Sequence, residues 1–262
     1  MIIDICTFNG ENDLFEIRYN ILKDFVDEFR VIEFDQTFSG KPKECLFNKI
    51  AENYEKVKNF YVIESMWGKY IELAKSSPNT EYGKGAEHWV HEFAQKESIK
   101  DYLTELDNDE DIIFIGDCDE IWSPILAEFY PKAIHKLGLK VYSYYLNNES
   151  SEEFYGTIWT KYKFIKNKCL NHIRSQSNYH TLIPKGGWHF TSMGGHEKVK
   201  QKLTDSYTAD SYAPPAVLNN LEDNIKNNKD FLGRDFIYKI DESQWPDYLK
   251  KNKDKYKHLL KP

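Results

Sequence analysis

Two aspartates one residue apart, Asp117 and Asp119, close the apolar run Ile112-Ile113-Phe114-Ile115-Gly116. Along an extended chain, residues i and i+2 project to the same side. The spacing therefore predicts two carboxylates aimed at one point, with Cys118 turned away. Two hard oxygen donors so placed suit Mg²⁺ or Mn²⁺, above all an ion already carried by phosphates. The run before them is short and uniformly apolar, which reads as a strand buried on both faces of a parallel sheet. Ligands of open α/β sheets gather beyond the carboxyl ends of such strands. The pair thus stands where a metal–diphosphate would bind.

Three readings of the pair compete. Aspartate is favoured in turns, so the two can simply cap the turn ahead of Ser123-Pro124. An Asp-x-Asp after an apolar strand is also the nucleophile and acid of haloacid-dehalogenase phosphatases, but that motif lies early in the chain and continues with Thr or Val. Here Glu120-Ile121 follows, and no later acidic pair is evident. The third reading is a nucleotide-sugar glycosyltransferase, in which Asp-x-Asp bridges a divalent ion to the donor diphosphate. It accounts best for the motif's central position.

A second constellation is Gly186-Gly187-Trp188-His189-Phe190, followed by Ser192-Met193-Gly194-Gly195-His196-Glu197. Paired glycines let backbone approach a ligand closely and free the chain for unusual φ/ψ. His189 is a candidate nitrogen ligand for the same metal. Glu197, at an expected helix start after a Gly-Gly turn, is a candidate general base, and Glu120 is the reserve. Against this stands a plainer reading of two ordinary turns and a glutamate that favours a helix N-terminus.

These side chains need a scaffold, and the first half of the chain supplies βαβ patterning. Ile2 to Phe8, Phe29 to Phe34 and Phe60 to Ile63 read as strands. Leu14, Ile17, Ile21, Leu22 and Phe25 recur at helical spacing. Gly83 and Gly85 precede a helical stretch from about Ala86 to Leu106. After Pro124 a short helix is expected over Ile125 to Leu137, then aromatic, β-branched strands at Val141–Leu146, Tyr155–Ile165 and Tyr179–Ile183. Helices are expected at Glu197–Leu203 and Ala216–Asn227. The expected fold is α/β: a mostly parallel, Rossmann-like central sheet with helices on both faces, plus a smaller antiparallel sheet. One domain spans 1–262, with a βαβ half over about 1–122, a second half over about 123–240 and a helical polar tail over 241–262.

The 262 residues suffice for a sizeable core, and 15% aromatic content argues against disorder. A formal charge of -7 argues against nucleic acid as the main partner. No segment approaches the ~18 apolar residues of a membrane span. Cys6, Cys45, Cys118 and Cys169 form no CxxC pair, and a strand beginning at Ile2 leaves no room for a leader. Reduced thiols and a cytoplasmic location are expected.

With these residues in view, the chain resembles glycosyltransferase family 17, the group of β-1,4-mannosyl-glycoprotein N-acetylglucosaminyltransferases. The likeness is carried by Phe8-Asn9 and Glu11 leading to Asp13-Leu14-Phe15-Glu16-Ile17-Arg18, by Val31-Ile32-Glu33 with Thr37-Phe38-Ser39-Gly40-Lys41-Pro42-Lys43, by Ile115 to Ile121, and by Gly186 to Phe190 with Gly194-Gly195. The resemblance implies an A-type glycosyltransferase fold, with a nucleotide-sugar half over about 1–122 and an acceptor half over about 123–240, Mn²⁺ or Mg²⁺, a UDP-sugar donor (UDP-GlcNAc), and a glycan or glycoconjugate acceptor. It implies inverting transfer, with Asp117, Asp119 and His189 around the metal. Glu33 becomes a candidate for uracil or ribose, and Arg18 and Lys41 for phosphate; an ion pair within the fold is the plainer account of Arg18. Trp188 and Trp159 become candidates for stacking on the acceptor, unless they are core indoles. A stretch of Ser-Phe-x-His expected after the Gly-Gly helix is replaced by Ser206-Tyr207-Thr208-Ala209. A carbohydrate-binding module without activity is the remaining alternative.

Overall fold

The computed structural model describes residues 1–62, 68–73, 90–104, 106, 108–175, 180–206 and 215–261. Ile63, the expected helix start at Ala86 with Gly83 and Gly85 before it, and Tyr207, Thr208 and Ala209 lie outside the described residues.

Strands β1 (Ile2–Phe8), β2 (Glu28–Phe34), β3 (Val57–Val62) and β4 (Ile112–Asp117) form the first half of the molecule. The rest is built on β5 (Glu120–Trp122), β6 (His135–Ser143), β7 (Asn148–Lys161), β8 (Thr181–Thr191) and β9 (Tyr238–Ile240). Helices are α1 (Asn12–Leu22), α2 (Val90–Leu103), α3 (Tyr162–Ile165), α4 (Leu170–Ser175), α5 (Gly195–Ser206), α6 (Pro215–Lys226) and α7 (Asp247–Lys251).

Among the described residues the strands make one sheet in the order β3-β2-β1-β4-β7-β6-β8-β5, with β9 on β7. The first four strands are mutually parallel. From β4 onward the pairing turns largely antiparallel, through β4–β7, β7–β6, β5–β8 and β7–β9, while β6 and β8 run parallel. The mixed α/β class stands as expected. The separate antiparallel sheet does not: β7 hydrogen-bonds directly to β4, so the two halves share one continuous sheet.

Alternation along the strands decides which helix covers which face. Ile3, Ile5, Ile32, Phe34, Ile113 and Ile115 face Ala94, Ile99, Tyr102 and Leu103 of α2. Cys6, Phe8, Phe29, Val31, Ile112 and Phe114 face the other way, onto Leu14, Phe15, Ile17 and Ile21 of α1. Both faces are covered, which is why these strands are mostly apolar, with Asp4, Arg30 and Glu33 buried among them.

Two expectations need correction. Ile125 to Leu137 is not a helix: a 3₁₀ turn over Pro124–Glu128 gives way to β6. Pro131 lacks the N–H a helix would need, and Leu137, Leu139 and Val141 are buried along the strand that replaces it. Nor is the end of the chain merely a polar tail, because Trp245, Leu249, Tyr256 and Leu259 join the α1-side core.

Gly186 and Gly187 also differ from expectation, lying within β8 rather than in a turn. Gly187 has φ +150°, and a Cβ there would stand 2.1 Å from the Ile121 carbonyl oxygen. A Cβ on Gly186 would stand 2.7 Å from Leu137 Cβ. The glycines do permit a close approach, but of neighbouring strands. That approach lets β8 carry His189 directly opposite Glu120 of β5. Gly194 and Gly195, at φ +97° and +75°, do make the expected turn into α5.

Candidate active site

The site forms where β1 and β4 end side by side, Thr7 paired with Asp117. Thr7 Oγ1 donates to Asp117 Oδ1 at 2.8 Å and accepts from Lys96 Nζ at 3.0 Å. Lys96, on α2, also forms an ion pair with Asp117 Oδ1, and Arg174 Nη2 of α4 approaches Asp117 Oδ2 at 3.4 Å. Burial works against ionisation of Asp117, but the charges of Lys96 and Arg174 outweigh it and hold the carboxyl well below the usual range.

Asp119 sits in the two-residue turn between β4 and β5. Its Oδ2 lies 3.6 Å from His189 Nε2 and 3.7 Å from Lys202 Nζ of α5. Burial again opposes ionisation, and His189 and Lys202 prevail, so Asp119 is also held low. His189 is pushed up: burial disfavours its charge, yet Asp119 more than compensates. Its ring packs on Phe154 at 4.2 Å between centroids. Among the described residues His189 Nδ1 is buried without a hydrogen-bond partner. Cys118 turns inward, as its place between the aspartates requires, and is buried.

Glu120 is buried beside the pair, with Thr157 Oγ1 donating to its Oε2 at 3.1 Å. Gly116 and Gly156 make room for it, since a Cβ on either would come within 2.8 Å of that oxygen. Burial, reinforced by the charge of Asp117, raises its pKa. Glu197 stands apart. Its side chain is 77% exposed and meets His196 Nε2 at 3.1 Å.

Arg18 takes the place that its plainer account foresaw. The guanidinium is fully buried and clasps Asp4 through Nε at 2.7 Å and Nη2 at 2.6 Å. Its Nη1 donates to the carbonyls of Asp117 at 3.0 Å and Glu120 at 2.6 Å. Arg18 therefore tethers the acidic turn from beneath and presents nothing to a ligand. Glu33 is likewise buried, accepting from the backbone N–H groups of Leu46 and Phe47 at 2.9 and 2.8 Å and from Lys43 Nζ at 3.2 Å. It anchors the 43–47 segment, so uracil or ribose would have to displace those donors.

Lys41 reaches the Thr204 carbonyl on α5 at 2.8 Å. Trp188 donates to the Gln244 carbonyl at 2.6 Å and remains half-buried. Trp159 is a core residue, 6% exposed and layered beside Phe114 at 6.1 Å, with no face open to an acceptor.

Sequence reasoning missed Lys96, Arg174, Lys202, Glu92 and Thr7. Glu92 of α2 is raised by burial, against the pull of Arg174 and Lys96. Glu11, quoted only for the family likeness, is raised by burial, with the charge of Asp119 adding to it. The Thr37–Pro42 block is a loop that holds the Phe38 ring 5.7 Å from Lys96 Nζ, and Gln95 Nε2 of α2 ties to the carbonyl of Gln36, just before it, at 3.0 Å.

Among the described residues no three His, Cys, Asp or Glu groups stand at metal-holding spacing. That does not conflict with a phosphate-borne Mg²⁺ or Mn²⁺, which takes one or two carboxylates and completes its shell with phosphates and water. Asp117 and Asp119 are both held in the ionised form that ligation requires. The donor set fits such an ion.

The model of one protein family, described as Glycosyltransferase family 17, matches residues 1–201. No curated protein matches the chain. The matched span contains Asp117, Asp119, Glu120, His189 and the helices bearing Lys96 and Arg174.

Proposed function

The chain belongs to glycosyltransferase family 17, and from that premise we propose that it transfers GlcNAc from UDP-GlcNAc to a glycan hydroxyl with inversion, assisted by Mn²⁺ or Mg²⁺. Membership makes it a glycosyltransferase of N-acetylglucosaminyltransferase type, with a sugar donor and an acceptor as substrates. The observation that carries the finer reading is the pair Asp117 and Asp119, both held toward the ionised form, one at the carboxyl end of parallel strand β4 and the other in the turn that follows. The parallel half with helices on both faces supports an A-type glycosyltransferase fold. The nucleotide sugar is assigned mainly to residues about 1–122, with helices of the second half reaching its diphosphate end, and the acceptor to about 123–240.

Asp117 and Asp119 would hold the ion, with His189 orienting Asp119. When bound, the ion neutralises charge that builds on the departing diphosphate. Glu120 is assigned as proton acceptor, because it is the carboxylate set beside the pair and oriented by Thr157, with its pKa raised by burial and the charge of Asp117. Glu197, exposed and held by its neighbour His196, is given no role in the transfer. Among the described residues no helix is long and apolar enough to cross a membrane. The four cysteines are free, which accords with cytoplasmic action.

The test is a thermal-shift panel of UDP, UDP-GlcNAc, UDP-glucose and GDP-mannose, each with and without Mn²⁺. UDP species should stabilise the protein only when metal is present, by about 2.7 kcal/mol at 100 times the dissociation constant. Glu120→Gln should keep that shift and lose turnover by about 10²–10⁴-fold. Equal stabilisation by UDP without metal would overturn the metal reading, and preference for GDP-mannose would overturn the donor.

A further inference from the structure

We infer that Lys96, Arg174 and Lys202 form the grip on the donor diphosphate, a set of cations that the two aspartates hold in readiness. The inference deepens the reading above and rests on it.

The three side chains come from three helices, α2, α4 and α5, and meet at one carboxylate pair. Their convergence is built into the packing. Glu97 Oε2 of α2 accepts from the backbone N–H and the side-chain amide of Asn171 on α4 at 3.3 and 3.2 Å. The Asn171 amide also donates to the Phe93 carbonyl at 2.9 Å. Those bonds dock α4 against α2 and bring Arg174 beside Lys96. On the other side, Val199 and Leu203 pack α5 onto Leu221 and Ile225, leaving Lys202 turned toward Asp119.

The geometry differs across the set. Lys96 is 3% exposed and bonded to both Thr7 and Asp117, so it is fixed. Arg174 is 31% exposed and Lys202 50%, and their approaches of 3.4 and 3.7 Å exceed the roughly 2.7–2.9 Å of a charge-assisted hydrogen bond. The aspartates attract these two without clasping them. Both are partly exposed beside the pair, and a phosphate oxygen arriving there meets donors already in place.

Charge balance then couples the metal to the nucleotide. A divalent ion on Asp117 and Asp119 would cancel their charge and leave the three cations less fully balanced. A diphosphate alone would face two ionised aspartates. Each therefore improves the site for the other, and metal and diphosphate bind together far better than either does alone.

The experiment uses the full chain and two variants at partly exposed positions, Arg174→Gln and Lys202→Met. Free Mn²⁺ is titrated by electron paramagnetic resonance, and UDP with saturating Mn²⁺ by calorimetry, with uridine as the probe lacking phosphate. Each variant should bind UDP about tenfold or more weakly, the loss of one charge-assisted contact to phosphate. Each should bind free Mn²⁺ more tightly than the wild type does, and uridine equally. Unchanged UDP affinity in both variants would overturn the inference, as would an equal loss for uridine. A wild type that binds no UDP in the presence of Mn²⁺ would instead bring down the functional reading itself.

Discussion

The Asp117→Asn variant is expected to lose sugar transfer by about three orders of magnitude or more. A bound divalent ion contributes several kcal/mol to a transition state that accumulates charge on its leaving group, and each 1.36 kcal/mol is tenfold in rate. Asparagine keeps the shape of aspartate and its hydrogen bond from Thr7, but it removes the anion that recruits the ion. It also strips the counter-charge from Lys96, which is 3% exposed and cannot turn to water. Product formation should be followed with saturating donor and Mn²⁺, and circular dichroism should confirm the fold. A variant that keeps more than a tenth of wild-type turnover would remove Asp117 from the chemistry.

Arg18→Met is expected to be the most damaging substitution for stability, at about 3–5 kcal/mol, the range for breaking one side of a buried ion pair. Arg18 and Asp4 are both fully buried, and Trp122 Nε1 also donates to Asp4 at 2.8 Å. Methionine fills the volume but leaves Asp4 charged in the core with a single indole donor. It also leaves the Asp117 and Glu120 carbonyls without their guanidinium. For a chain of this size the loss corresponds to a fall on the order of 10 °C in Tm. Urea unfolding reads it directly. A loss below about 1 kcal/mol would mean that the tether is dispensable. Because the same guanidinium fixes the acidic turn, whatever folded fraction survives should also bind Mn²⁺ poorly.

The aspartate pair was legible because its two signals are local: an apolar run long enough for one buried strand, then acids at period two. What surrounds it was not. Gln95-Lys96-Glu97-Ser98 reads as a wet helical turn, yet all four residues are buried. One side of α2 packs on the sheet, while Gln95, Lys96 and Glu97 bond to the 36–42 loop, the site and α4 in turn. No helical period reveals such contacts, because they are made by segments distant in the chain. Arg174 and Lys202 are two among 35 basic residues, and only the docking of their helices distinguishes them.

The glycines of β8 illustrate the same limit. Sequence shows that Gly186 and Gly187 lack side chains, but not that the Ile121 carbonyl fills the space beside one of them. Arg18 is the converse case. Its helical position, one turn after Leu14, placed it on the core-facing side, and burial there demands a carboxylate partner. Asp4 supplies it from the middle of a strand that otherwise reads as wholly apolar, so the pair explains an acid that the strand pattern left unaccounted for.

The most direct measurement is anomalous diffraction from crystals soaked in MnCl₂ and UDP. A manganese peak in contact with the carboxylates of Asp117 and Asp119, with diphosphate oxygens on its far side, is the result this account predicts. UDP bound with no manganese beside that pair, or manganese held elsewhere in the molecule, would contradict it.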